Sequence, residues 1–250
     1  RLLLSPVHAL RRRVQARRIQ SRGFPYALVL MQLEHDSSFL AHSPYRRMSE
    51  FTAEVLTAFA RAAPGHHHIV FKSHPLEDGR AALDQVIREQ AGKLGIAHRV
   101  HLVQGGKLAG LLSQARAVVT INSTAAQQAL WRGLPVKAMG RAVYCKPGLV
   151  SDQPLEDFLR HPDPPDRRLY KHYRNYLMDT CQVPGGFYAA RSRAHALRPL
   201  RGEGRLPQRR IRRGPAEAGG VGQPRVGGKH RDAAQVIRRP RSPCRRRHGV

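Results

Sequence analysis

The sequence predicts an α/β domain built on a doubly wound parallel sheet, and three observations point there. Short apolar runs alternate with stretches of helical periodicity five times between residues 24 and 139, the connections are brief, and glycine or proline closes the longer helical stretches. Right-handed crossovers would then bring the C-terminal ends of all five strands to one edge, where proteins of this class hold their ligands.

Residues 1–22 carry seven arginines and no acidic residue among recurring Leu, Val and Ile, so a basic helix or linker is expected. Such a segment can lie on anionic lipid or an acidic partner, or stand solvated between domains. The chain opens on Arg1 with charge and apolar residues in the wrong order for a signal peptide, and its start is expected to be a cut inside a longer protein. Phe24–Leu33 reads as the first strand and 34–47 as a polar loop. A helix is expected over Ser49–Ala63, where Phe51, Val55, Leu56 and Phe59 fall at helical spacing before Pro64–Gly65. His68–Lys72 is the second expected strand. A helix over Arg80–Leu94 follows, with Leu83, Val86 and Ile87 inward and Gly95 as its stop. Arg99–Gln104, Ala117–Ile121 and Pro135–Met139 complete the strands, separated by helices expected over Lys107–Ala115 and Ser123–Trp131. Together 23–150 make one Rossmann-like unit. Residues 151–190 are expected as closing helices, with Tyr170, Tyr173, Tyr176, Leu169 and Leu177 turned to the sheet.

Residues 191–250 differ in kind. They hold 18 basic and 3 acidic residues, no Phe, Tyr or Trp, and short Arg/Gly/Pro repeats, which predicts a disordered tail. A shifted reading frame in a GC-rich gene produces this texture, and a frameshift is expected between about Ala190 and Leu200. The whole chain has 44 Lys and Arg against 17 Asp and Glu, but 23–190 keeps only 19 against 14. The excess charge therefore lies outside the domain, and no aromatic residue interleaves the tail arginines to stack bases, so nucleic acid is not the expected partner. Three cysteines without metal-ligand spacing argue against a disulfide framework or a zinc site. His66, His67 and His68 enter a strand and would point to alternate sides, so no metal site is expected there. There is no GxGxxG, GxxxxGK[ST] or GxSxG, which removes the usual dinucleotide, P-loop and α/β-hydrolase readings.

The polar residues that could carry chemistry cluster just after the expected strands. Gln32, Glu34 and Asp36 follow the first, Lys72 and His74 the second, Asn122, Ser123 and Thr124 the fourth, Gly140 and Arg141 the fifth. Asn122, Ser123 and Thr124 open a helix, where free N–H groups and hydroxyls can hold a phosphate, or where Ser and Thr simply cap it. Lys72 can pair with an anion, and His74 can donate to a phosphate or move a proton, or serve structure alone. Glu34 and Asp36 are a carboxylate pair suited to glycosyl transfer, or a loop in which Asp36 caps a turn with Ser37 and Ser38.

With these clusters in place, the sequence resembles the capsule polysaccharide biosynthesis and export family, bacterial enzymes that assemble the lipid-linked Kdo linker of capsules. The stretches that carry the resemblance are QLEHDSSFLAHSPYRRMSEF, IVFKSHPLEDG, TINSTAAQQALWRGLPVKAMGRAVYCKPGL and YRNYLMDTCQVPGGFYAAR, in that order. It departs at Ser38, Ala126 and Cys145–Lys146. The resemblance implies the C-terminal Rossmann-like half of a GT-B-type retaining β-Kdo transferase, with the upstream domain absent. CMP-Kdo would be the donor, with no separate cofactor, and a glycerophospholipid or growing Kdo chain the acceptor. It further implies a cytoplasmic protein peripheral to the inner membrane, working with other capsule assembly and export proteins. Carried onto this chain, it makes Asp36 the carboxylate at the anomeric carbon and Glu34 its acid/base companion. Lys72, His74, Asn122, Ser123 and Thr124 would hold the CMP phosphate and Kdo carboxylate, with Arg141 nearby. The competing readings are another sugar-nucleotide enzyme such as an epimerase, a basic nucleic-acid-binding protein, and an inactive fragment.

Overall fold

A computed structural model describes Ile19, residues 21–76 and residues 82–182. Apart from Ile19, Ser21 and Arg22, the expected basic helix lies outside the described residues, as do the end of the closing segment and the whole tail.

Five strands form one sheet, all pairs parallel: β1 (Tyr26–Leu30), β2 (His68–Lys72), β3 (Val100–Val103), β4 (Ala115–Thr120) and β5 (Val136–Ala138). Their order is β3-β2-β1-β4-β5, so the chain runs outward from β1 in one direction and then returns to β1's other flank. The reversal falls between β1 and β4, the position at which open α/β sheets form a crevice. Leu30 lies level with Lys72 on one side and with Thr120 on the other, and Thr120 is level with Ala138.

Alternating side chains divide the core in two, as the period of a strand requires. Val29, Ile69, Phe71, Ala117 and Val119 face one layer of helices, α1 (Ser37–His42), α2 (Met48–Ala62), α3 (Leu83–Lys93) and the later α6 (Leu155–Arg160). Tyr26, Leu28, Leu30, Val70 and Val118 face the other, α4 (Leu108–Leu112), α5 (Ala126–Trp131) and α7 (Arg167–Thr180). The connections before the reversal thus cover one face and those after it the other, which is the doubly wound arrangement the alternation predicted. In α2 the residues at helical spacing, Phe51, Val55, Leu56 and Phe59, are all fully buried. Buried Leu83, Ile87 and Ala91 form the inner stripe of α3, and Gly95 ends it at φ +69°.

Three expectations about elements are corrected. The polar loop 34–47 contains α1, which Asp36 caps and Phe39 anchors as its one buried side chain. Two turns with a single buried residue carry too little periodicity to announce a helix. Next, α5 begins at Ala126, after a turn through Ser123–Ala125 whose carbonyls accept from the N–H groups three residues ahead. Finally, α7 packs on α5 rather than turning all its tyrosines to the sheet: Tyr170 is buried, Tyr173 half-buried and Tyr176 exposed. Spacing by three falls 60° short of a full turn at each step, so three such residues spread over a third of the helix circumference.

Candidate active site

The register places all four polar clusters at the C-terminal edge of the sheet, on the adjacent strands β2, β1, β4 and β5. At the reversal, Gln32 and Asn122 bond each other twice. Gln32 Nε2 donates to Asn122 Oδ1 at 2.7 Å, and the Asn122 backbone N–H donates to Gln32 Oε1 at 3.0 Å. Asn122 Nδ2 also donates to the Ser38 carbonyl in α1 at 2.8 Å. Both side chains are buried, so these amides clamp the ends of β1 and β4 together and tie α1 over them. The resemblance gave Asn122 to the donor; here its side chain is engaged with Gln32 and Ser38.

Gly140 and Arg141 complete the hold on α1. The Arg141 N–H donates to the His42 carbonyl at 2.9 Å, and its guanidinium reaches the Ala41 carbonyl at 3.4 Å, so two orphan carbonyls at the helix C-terminus are met. A Cβ at Gly140 would lie 2.7 Å from Ile121 Cγ2 and 2.9 Å from the His42 carbonyl oxygen, which is why the chain needs glycine here. At the other end of α1, Asp36 Oδ1 accepts from the Ser38 N–H at 2.7 Å. The capping role weighed in the sequence is therefore present, and the carboxylate remains exposed. Glu34 Oε1 accepts from the Met48 N–H at 2.7 Å, meeting a free donor at the start of α2, whose N-cap Arg47 supplies no side-chain bond. Glu34 thus fixes the loop to the start of α2 through one of its carboxylate oxygens.

On the β2 side, Lys72 is buried and its ammonium donates to the Ser73 carbonyl at 2.8 Å. His74 is half-buried, and its Nδ1 accepts from the Leu76 N–H at 3.2 Å. That bond leaves the ring proton on Nε2, which makes His74 a donor suited to an anionic oxygen. Ser123 Oγ accepts from the Ala125 N–H at 3.3 Å, a bond within the turn that precedes α5, whereas Thr124 is exposed. The sequence reading missed Tyr144, whose hydroxyl donates to the Ser123 carbonyl at 2.7 Å and holds the turn from beneath. Burial pushes the Tyr144 phenol far above its usual pKa, so it acts as a neutral donor. An aromatic residue four positions after Gly140, where the polar cluster behind the fifth strand opens, was the available signal. Beyond Arg141, a hollow of about 380 Å³ is lined by Cys145, Lys146, Asp152 and Asp163 among others.

The opposite edge holds a different group. His67 is buried with its Nε2 against the Arg116 guanidinium, while His68 Nδ1 meets His101 Nε2 at 2.9 Å. Adjacent histidines do diverge, as expected of a strand entry. Desolvation, and then the nearby Arg116 charge, lower the His67 pKa to about 4. Desolvation, followed by His68 and Arg22, lowers that of His101 to about 4.

Residues 5–188 match the family described as capsule polysaccharide biosynthesis protein. The chain belongs to that family. Among curated relatives of this capsule protein, the capsule polysaccharide export protein KpsS of Escherichia coli is 34% identical over 177 residues, which is 71% of this chain and 46% of the relative. The capsule polysaccharide modification protein LipB of Neisseria meningitidis serogroup A is 32% identical over 179 residues, 70% of this chain and 42% of the relative. The chain spans less than half the length of these relatives. Among solved structures, KpsC of Thermosulfurimonas dismutans, a β-Kdo 2,7 transferase, aligns with a TM-score of 0.39 at 20% identity, over 61% of this chain and 54% of that one. No helix among the described residues of this family member is long and apolar enough to cross a membrane.

Proposed function

We propose that this capsule polysaccharide biosynthesis protein carries the donor-binding half of a glycosyltransferase that moves β-Kdo from CMP-Kdo to a lipid acceptor or growing Kdo linker. The observation that supports the reading most is the exposed Asp36 carboxylate, held on a short helix directly over the β1/β4 reversal by Asn122, Gly140 and Arg141. In the proposed reaction an Asp36 oxygen bonds to the anomeric carbon as that carbon's bond to the CMP phosphate oxygen breaks, and CMP leaves with the electron pair. The acceptor hydroxyl then attacks the same carbon, loses its proton to base and frees the carboxylate, and two inversions give net retention. His74 Nε2–H donates to the departing phosphate or the Kdo carboxylate, and Thr124 and the turn before α5 offer further donors. Other capsule assembly proteins at the inner membrane, on its cytoplasmic side, are the proposed partners.

Heat stabilisation by nucleotide tests the reading on this chain. With CMP about a hundredfold above its Kd, stabilisation of about 2.7 kcal/mol is expected, and UDP at the same concentration should give little. Asp36→Asn retains a side-chain oxygen for the Ser38 N–H, so it should keep the CMP response while removing Kdo transfer. Equal or greater stabilisation by UDP would favour a different sugar-nucleotide enzyme, and no response to CMP would overturn the assignment.

A further inference from the structure

Away from the strand ends, α7 presents a surface that the proposed transfer does not use. Its fourteen residues include Arg167, Arg168, Lys171, His172 and Arg174 against one acid, Asp179. Tyr170 is the helix's one buried residue, and its hydroxyl donates to the Gln127 carbonyl of α5 at 2.8 Å. At 100° per residue, this inward position puts Arg168 and His172 on the outward arc with Asp179 between them and Lys171 at its edge, while Arg167 lies on the margin toward the body of the domain, beside Gly133. Arg174, on the same margin as Arg167, lies 4.5 Å from the centre of the Trp131 ring. Arg168 and Lys171 make no side-chain hydrogen bond or ion pair among the described residues.

Large apolar groups border this basic arc. Trp131 is 54% exposed and Tyr176 58%, with Leu169 at 39% and Met178 at 42%. Leu169 and Tyr176, seven apart, share one flank of the helix, Met178 lies on the other, and Trp131 adjoins through Arg174. A helix face serving only to stay in water has no need of four such side chains. Cations mixed with Trp and Tyr are the composition of a bilayer interface, where ammonium and guanidinium groups meet phosphates and aromatic rings sit at headgroup level.

We propose that α7 together with Trp131 is the face by which this chain rests on an anionic lipid bilayer. It names the surface on which a lipid-linked acceptor would be met, and so deepens the reading above without depending on the donor. Charge complementarity selects the occupant: four Arg and Lys side chains against one acid favour anionic headgroups over a second copy of an equally basic face.

Trp131 is the single tryptophan in the chain, so its fluorescence reports this face alone. The full chain is titrated with vesicles of equimolar phosphatidylglycerol and phosphatidylcholine, and with phosphatidylcholine vesicles as control. The expected result, with anionic vesicles only, is a blue shift of Trp131 emission, quenching by brominated acyl chains and reduced access to acrylamide. Arg168→Ala and Lys171→Ala should each lower the partitioning read at Trp131 roughly fivefold, with circular dichroism unchanged. The basic segment 191–250 can bring the chain to anionic vesicles by itself, so co-sedimentation is not the deciding measurement. Sedimentation with an unchanged Trp131 spectrum would overturn the proposal, as would partitioning that ignores both substitutions. A blue shift that grows with protein concentration in lipid-free buffer would assign the face to a second copy and overturn it too. Vesicle contact is read without nucleotide, and the CMP response without vesicles, so either idea can fail alone.

Discussion

Acidification from pH 7 to pH 5 is expected to weaken the fold through His67. Its ring is 6% exposed, with Arg116 against Nε2 and His66 and Arg99 adding further positive charge. In the folded chain its pKa falls to about 4, against 6.5 when unfolded. The unfolded state therefore binds the proton first. The stabilising contribution is complete above pH 6.5 and is lost as pH falls toward 4. The full span amounts to about 3 kcal/mol, of which about 2 kcal/mol is gone by pH 5, where most unfolded-state carboxylates are still ionised. For a domain of this size that is a drop of roughly 4–8 °C in Tm. Thermal melts followed by circular dichroism at pH 7 and pH 5 measure it. His67→Gln supplies an uncharged acceptor for Arg116 and should flatten the pH dependence by about that amount. An identical pH slope in wild type and His67→Gln, or a Tm that rises on acidification, would refute the reasoning.

Gln32→Ala or Asn122→Ala leaves the partner amide buried without its bonds, a loss of about 1–3 kcal/mol. A urea titration should show the two single changes failing to add in the double variant, since they break one shared clamp. Gly140→Ala drives a methyl into Ile121 and the His42 carbonyl and should cost about 1–3 kcal/mol. Hydrogen exchange would register it as faster opening of α1, and unchanged protection there would count against the close approach described.

The alternation of apolar runs and periodic stretches was enough to read the sheet's class, and crossover handedness was enough to bring the polar clusters to one edge. Strand β2 was legible to the residue, His68–Lys72, since polar positions bracket its apolar centre. The first strand came out shorter than its apolar run, Tyr26–Leu30 within 24–33. Helix α1 was not legible, because its six residues are fixed by bonds to residues on β4's and β5's far ends rather than by its own pattern. The same limit governs the site. A sequence shows that Gln32 and Asn122 are polar and follow strands; that they spend their amides on each other is decided across 90 positions of chain. Ser123 and Asp36 likewise carried two meanings each, and only local geometry showed each accepting from a backbone N–H two residues on.

The strand order has a consequence for how this protein comes into being. β1 is flanked by β2 and by β4, and its bond partner Thr120 follows Leu30 by 90 residues. A chain emerging from the ribosome can pair β1 with β2 early, but one side of its central strand stays open until β4 has been made. The edge that carries Asp36 and the Gln32–Asn122 clamp therefore forms only when the last third of the domain arrives. Ligand capture at that edge reports the finished sheet, and a chain halted before β4 would display an open, aggregation-prone strand in its place.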